Sequence, residues 1–80
     1  MTKKNTPIDK IDSVINLFND GKLNDAIEIA KNLIKNYPHD SILLNIAGAC
    51  YAGLGKLNNA ASCYKKAILI NPDFADFHYN

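Results

Sequence analysis

The sequence repeats itself at an interval of 34 residues. "GKLNDA" begins at Gly21 and "GKLNNA" begins at Gly55, and five of the six letters agree. When residues 7–40 are compared with residues 41–74, nine positions are identical. These are Ile8/Ile42, Gly21/Gly55, Lys22/Lys56, Leu23/Leu57, Asn24/Asn58, Ala26/Ala60, Lys31/Lys65, Ile34/Ile68 and Pro38/Pro72. A fixed period of this length is typical of a chain that uses one supersecondary unit more than once.

Each unit has the pattern of two helices. The clearest helical spacing covers residues 23–37, where the apolar residues are Leu23, Ala26, Ile27, Ala30, Leu33, Ile34 and Tyr37. They form one face of an amphipathic helix. Pro38 and Pro72 are expected to end the second helix of each unit, because a residue before proline avoids the helical conformation. Gly21 and Gly55 are expected to end the first helix, and the short turns make the two helices antiparallel neighbours.

The first helix of each unit has a start signal. Thr6 is the predicted N-cap of unit one, with Pro7 in the first helical position and Asp9 completing a capping box. This helix is predicted to end near Asn19. Asp40 is the predicted N-cap of the first helix of unit two.

The predicted organisation is a disordered N-terminal tail (1–6), a degenerate capping unit (7–40), a second unit (41–74) and the truncated start of a third (75–80). Asp73 is the predicted cap of a fifth helix, which is too short to be stable alone. The fold class is therefore all-α, an α-solenoid fragment of antiparallel helix–turn–helix repeats with about five helices.

Unit two has the residue pattern of a known repeat. The matching positions are Ala47, Gly48, Tyr51, Gly55, Leu57, Ala60, Tyr64, Ala67 and Pro72. With its length of 34 residues, the unit resembles the tetratricopeptide repeat. The resemblance implies that small residues let the helices approach closely, at Gly48, Ala60 and Ala67. It also implies that Leu23 and Leu57 fill the hairpin cores, and that the spaces between hairpins are filled by Leu44, Tyr51 and Tyr64.

Unit one departs from this pattern in its first helix. Val14 stands at the position of Gly48, and Ala30 stands at that of Tyr64. The apolar stripe consists of Ile8, Ile11, Ile15 and Phe18, with Val14 and Leu17 beside it. Either the helix rotates and buries Ile11, Val14, Ile15 and Phe18, or it keeps its register and leaves an apolar patch on the inner surface. We favour burial, since large exposed apolar stripes usually become interfaces.

The resemblance implies a protein-interaction scaffold that binds peptides or partner proteins on its concave face. First helices line that face, so the implied peptide-binding residues are Ile42, Asn45, Ile46, Ala49, Ala52, Asp76, Tyr79 and Asn80. One alternative is that the chain is the N-terminal segment of a larger enzyme of the glycosyl- or sulfotransferase type, serving substrate presentation or oligomerisation. Another is a purely structural role, as a fragment of interest for repeat folding or self-assembly. We also expect a homodimer through an under-protected C-terminal flank.

Composition excludes several other partner classes. Nine lysines balance eight acidic residues to a net charge of +1, and arginine does not occur. Such a chain lacks the basic footprint of a nucleic-acid or membrane-surface protein. It also has no apolar run of the roughly 18 residues that a membrane span needs. We interpret Lys65 and Lys66 as a solvated face, and we expect the protein to be cytoplasmic.

No residue pattern indicates catalysis or a cofactor. Cys50, Cys63, His39 and His78 do not match any metal-site spacing. We expect the two cysteines to be a packed pair of reduced thiols, with a disulfide as the alternative. The chain has no paired carboxylates and no glycine-rich phosphate loop. We therefore predict a non-enzymatic protein without metal or cofactor.

Overall fold

Four α-helices form the part of the chain that the computed structural model describes, residues 6–72. They are α1 (Ile8–Asn19), α2 (Leu23–Asn36), α3 (Ser41–Gly53) and α4 (Leu57–Ile70). Residues 6–72 contain no strand, and the predicted all-α class is confirmed for this range. Three predictions fall on residues outside this range. They are residues 1–5 of the disordered tail, the fifth helix after Asp73 and the start of a third unit at 75–80.

Two glycines make the turns between paired helices. Gly21 has a φ angle of 79° and Gly55 one of 78°. This left-handed conformation suits glycine because it has no Cβ atom to clash with the backbone. Only residues 20–22 and 54–56 separate the paired helices, so α1/α2 and α3/α4 form tight antiparallel hairpins, as predicted.

The two hairpins stack on each other. Each helix packs against the next one in the chain, and α1 also contacts α3. The core between them consists of Val14, Ala26, Ile27, Ala30, Leu33, Leu43, Ala47 and Cys50. Because these side chains come from α1, α2 and α3, their burial stabilises the stack as well as the first hairpin.

The start of α1 differs from the prediction. Pro7 occupies the N-cap position, and no side chain caps the helix. The predicted capping box of Thr6 and Asp9 is therefore wrong. Thr6, which the sequence assigned to the tail, is buried, and its backbone N–H donates a 2.9 Å hydrogen bond to Oδ2 of Asp40. This bond joins equivalent positions of the two units.

Asp40 links the starts of both first helices. Its Oδ1 atom accepts hydrogen bonds from the backbone N–H groups of Ile42 (3.0 Å) and Leu43 (3.2 Å), so it caps α3 as predicted. Burial acts to raise the pKa of this carboxyl, but hydrogen bonding from Thr6 and the first turn of α3 outweighs burial, and the net pKa is lowered.

The apolar stripe of α1 is only partly buried. Val14 is fully buried, as expected, but Ile11 and Ile15 are half-buried and Phe18 is 36% exposed. We predicted that all four residues would be buried. This prediction is wrong for Phe18, and the two isoleucines are buried only in part. The helix keeps Val14 towards α2 and α3, and this orientation leaves the rest of the stripe on the surface.

The repeated leucines of the turn motif have different environments. Leu23 is half-buried, and its Cδ1 atom would lie 2.7 Å from a Cβ atom added to Gly53. The start of α2 therefore lies directly against the end of α3. Leu57, at the equivalent position of unit two, is 68% exposed. The expectation that Leu57 fills a hairpin core is wrong.

Candidate protein-binding surface

One side of α3 carries the described part of the predicted binding site. Ile42 is 49% exposed, Ala52 is exposed, and Asn45 and Ala49 are half-buried. Ile46 is half-buried and packs against the core. These five residues share one side because a helix turns once in 3.6 residues. Asp76, Tyr79 and Asn80 lie outside the described residues.

The equivalent side of α1 is apolar and exposed. Ile8, 34 residues before Ile42, is 76% exposed. Ile11, Ile15 and Phe18 occupy the positions equivalent to Asn45, Ala49 and Ala52. Because α1 contacts α3, the two helices lie side by side. We call this surface the inner face: Ile8, Ile11, Asp12, Ile15 and Phe18 of α1 with Ile42, Asn45, Ile46, Ala49 and Ala52 of α3.

Polar groups are sparse on the inner face. Asp12, exposed on α1, is the one charged member of the set. Asn45 contributes a side-chain amide, which both donates and accepts hydrogen bonds. An apolar surface with one amide and one carboxylate suits recognition of a peptide, whose backbone needs such partners and whose side chains need apolar contact.

The two cysteines are free thiols in this structure. Burial raises the pKa of Cys50, and the neighbouring Cys63 raises it further. Burial also raises the pKa of Cys63, while Lys66 acts in the opposite direction. Thiols with raised pKa values are weak nucleophiles at neutral pH, which fits a packing role. Within residues 6–72, no group of three or more His, Cys, Asp or Glu side chains could hold a metal ion.

A groove that the sequence did not predict lies between α2 and α4. This outer groove has a volume of about 480 Å³. Its lining residues are Lys31, Ile34 and Lys35 of α2, Leu44 and Tyr51 of α3, and Asn58, Asn59, Ser62, Cys63 and Lys66 of α4. Lys65 and Lys66 are both exposed, as the sequence predicted, and Lys66 also lines the groove. The helical spacing of Lys31 and Lys35 on α2 was the signal that could have indicated a basic groove wall.

One comparison, with models of protein families, gives a match. Residues 48–80 match a family model described as TPR repeat. This part of the chain is similar to a tetratricopeptide repeat. The match covers the end of α3, all of α4 and residues beyond the described range, and it confirms the resemblance over this part of the chain. Tetratricopeptide repeats in general mediate protein–protein interaction and are typically non-enzymatic scaffolds.

The comparisons with curated proteins and with solved structures add no relative. No curated protein and no solved structure gives a significant match. None of the helices in the described part of the chain is long and apolar enough to cross a membrane.

Proposed function

We propose that this chain is a protein-interaction module that binds a peptide segment of a partner protein on its inner face. The observation that carries the proposal is the exposure of Ile8 and Ile42, which occupy equivalent positions in neighbouring helices. Exposed apolar side chains at one position of successive repeats form a continuous surface. Covering that surface with apolar side chains of a partner removes it from water, which favours binding.

Small residues on α3 support the same proposal. Ala49 and Ala52 leave space beside the larger side chains of α1, so a peptide backbone can approach α3 closely. Asn45 lies between these alanines and Ile42 along the helix, where its amide can pair with a peptide N–H or C=O group. Asp76, Tyr79 and Asn80 stay part of the proposed site on the sequence prediction alone.

Selection from a displayed peptide library tests this function. Enriched peptides would be synthesised, and their affinity for the full chain measured by fluorescence anisotropy. Ile42→Asp should weaken binding by about tenfold or more, because it places a charge in an apolar contact. Asn45→Ala should weaken binding by a smaller factor.

A matched control is available on another helix. Ile29→Asp makes the same chemical change on α2, where Ile29 is 36% exposed and outside the inner face. It should leave affinity unchanged if the fold is intact by circular dichroism. Equal losses for the two variants, or none for either, would sink the assignment of the inner face.

Homodimerisation through α4 is a second candidate function. Leu57 is 68% exposed, and Ala61 and Ile68 share its side of the helix. A second copy that covers this C-terminal flank would bury the apolar side chains there. Sedimentation equilibrium up to about millimolar concentration should detect the dimer, and Leu57→Glu should abolish it. Leu69→Glu changes an exposed leucine on another side of α4 and serves as the control; a monomer at all concentrations contradicts the proposal.

A further inference from the structure

The outer groove lies on the side of α3 opposite to the inner face. Leu44 and Tyr51, which form its floor, are separated by seven residues and share one side of α3. At 3.6 residues per turn, that side is turned well away from Ile42 and Ala49. Leu44 is nearly fully buried. The groove is therefore a separate surface, and its occupant does not compete with a ligand of the inner face.

A second depression continues the outer groove towards the end of α4. It has a volume of about 300 Å³ and is lined by Pro38, His39, Leu69 and Ile70, with Lys66 shared between the two. Together they follow α4 from residue 58 to residue 70. Twelve helical steps of 1.5 Å make this path roughly 18 Å long. At about 3.3 Å per residue, it accommodates five or so residues of an extended peptide.

The two depressions are lined by positive charges without negative ones. Lys31, Lys35 and Lys66 line them, and none of their lining residues is an aspartate or glutamate. Lys31 forms a long 3.8 Å ion pair with Glu28, but both side chains are more than half exposed. No ion pair to Lys35 or Lys66 occurs among the described residues. Three cations are thus concentrated on a chain whose net charge is only +1.

Apolar groups lie beside these cations. Leu69 is 82% exposed at one end of the path, and Ile34 and Tyr51 contribute half-buried apolar surface at the other. Asn58 and Asn59 add side-chain amides that can pair with a peptide backbone. A free anion would use the lysines alone, whereas a peptide with both acidic and apolar side chains would use all three kinds of group.

We propose that the outer groove binds an acidic peptide segment of a partner protein, in which two or more carboxylates flank a large apolar side chain. The carboxylates pair with Lys35 and Lys66 on opposite walls, and the apolar side chain contacts Leu69 or the floor of the groove. Charge complementarity of this kind sets specificity and orientation, while the apolar contact contributes affinity. Nucleic acid is disfavoured because the lining residues include no arginine and no basic track beyond the three lysines.

Fluorescence anisotropy with defined peptides tests the proposal on the full chain. The probe is a labelled peptide of about six residues with alternating glutamate and leucine. Peptides of the same length and label, with alternating lysine and leucine or with glutamate alone, serve as controls. The acidic apolar probe should bind most tightly, and its affinity should fall as salt is added. Lys35→Glu and Lys66→Glu should each reduce its affinity about five- to tenfold, because reversal replaces attraction with repulsion.

Lys65→Glu provides the matched control, since it makes the same charge change one residue away on α4 and outside the lining of the groove. It should change affinity by less than about twofold. Leu69→Ser should reduce the affinity for the acidic apolar probe more than the affinity for the peptide of glutamate alone. The bound probe should also slow alkylation of Cys63, which lines the groove.

Several results would overturn the proposal. Equal losses for Lys65→Glu and Lys66→Glu would indicate diffuse attraction to a basic surface. A labelled oligothymidylate that binds as tightly as the acidic probe would assign the groove to nucleic acid. Dimerisation that Lys66→Glu abolishes would assign it to a second copy of this chain. None of these results depends on whether the inner face binds a peptide.

Discussion

The ring of Tyr64 lies directly over the backbone of α3 at Gly48. A Cβ atom added to Gly48 would lie 2.6 Å from Cε1 of that ring, closer than real Cβ atoms approach a neighbour. Glycine in the middle of a helix costs about 1 kcal/mol relative to alanine. Here it admits an aromatic ring of the paired helix, and the contact between α3 and α4 depends on it.

The first hairpin fills the same place with the sizes reversed. Val14 stands at the position of Gly48, and Ala30 at that of Tyr64. Both are fully buried in the core. In unit one, the larger residue is on the first helix and the small one is on the second. In unit two, the small residue is on the first helix and the large one is on the second. The two departures from the repeat pattern in unit one are therefore one compensated change in packing.

Exchanging this size pattern should reveal the compensation. Gly48→Val alone should lower the free energy of unfolding by about 2 kcal/mol or more, because its side chain would overlap Tyr64. Tyr64→Ala alone should also destabilise, since it leaves an unfilled space. The double variant should be at least about 1 kcal/mol more stable than the sum of the two losses predicts. Urea unfolding followed by circular dichroism measures this coupling, and additive losses would contradict it.

Asp40 should make stability depend on acid. Its pKa is lowered in the folded chain, below the ordinary value of 3.8. The carboxylate therefore stabilises the fold above about pH 4, and this contribution is lost as the pH falls through the folded pKa. Asp40→Asn should reduce the free energy of unfolding by about 1 kcal/mol near pH 6, and the difference should shrink towards about pH 3.

Urea unfolding across that pH range measures the effect. Asp12→Asn is the control, because Asp12 is exposed in the middle of α1 and caps no helix. It should change the free energy of unfolding by less than about 0.5 kcal/mol. The difference in unfolding free energy between the wild type and Asp40→Asn should therefore depend on pH. A constant difference would show that the charge of Asp40 does not stabilise the fold.

The two leucines of the repeated turn should differ in their effect on stability. Leu23→Ala should cost about 1–2 kcal/mol, because Leu23 packs against the end of α3 at Gly53. Leu57→Ala should cost less than about 0.5 kcal/mol, because Leu57 is mostly exposed. Thermal or urea unfolding at micromolar concentration compares them in the monomer. Similar losses of unfolding free energy for the two variants would mean that Leu57 is covered in solution.

The two thiols should differ in their reaction with iodoacetamide. Cys50 is fully buried, so it should react only when the fold opens, whereas half-buried Cys63 should react in the folded chain. Both pKa values are raised above the ordinary 9.0, so both rates should still increase with pH above about 9. Mass spectrometry of peptides from partly labelled protein measures the two rates, with labelling in urea as the reference. Faster labelling of Cys50 than Cys63 in the folded chain would contradict the packing.

Local signals explain why the helices were predictable. α1 ends at Asn19 and α3 begins after Asp40, as predicted. α1 begins at Ile8, one residue after the predicted Pro7, and α2 ends at Asn36, one residue before the predicted Tyr37. Glycine at a positive φ angle and proline after a helix act through their own backbone geometry. Asp40 caps α3 through groups two and three residues away. Each of these effects is specified within a few residues of sequence.

Contacts between distant residues explain what was missed. Thr6 has the spacing of a capping residue, but its backbone N–H is held by Asp40, 34 residues later. Leu23 and Leu57 share one motif, but only Leu23 has the end of α3 against it. A sequence pattern describes one helix at a time, so it could not indicate which of two identical residues has a neighbour.

The sequence by itself determined the helices of residues 6–72, their turns and the 34-residue period, because periodicity and turn chemistry are local properties. The tertiary structure alone decided which parts of the α1 stripe remain exposed and that lysines of α2 and α4 lie on opposite walls of one groove. Those outcomes depend on how two hairpins stack. Stacking is fixed by the joint packing of residues from several helices, such as the core that α1 and α2 share with α3 and the contact of Leu23 with the end of α3 at Gly53.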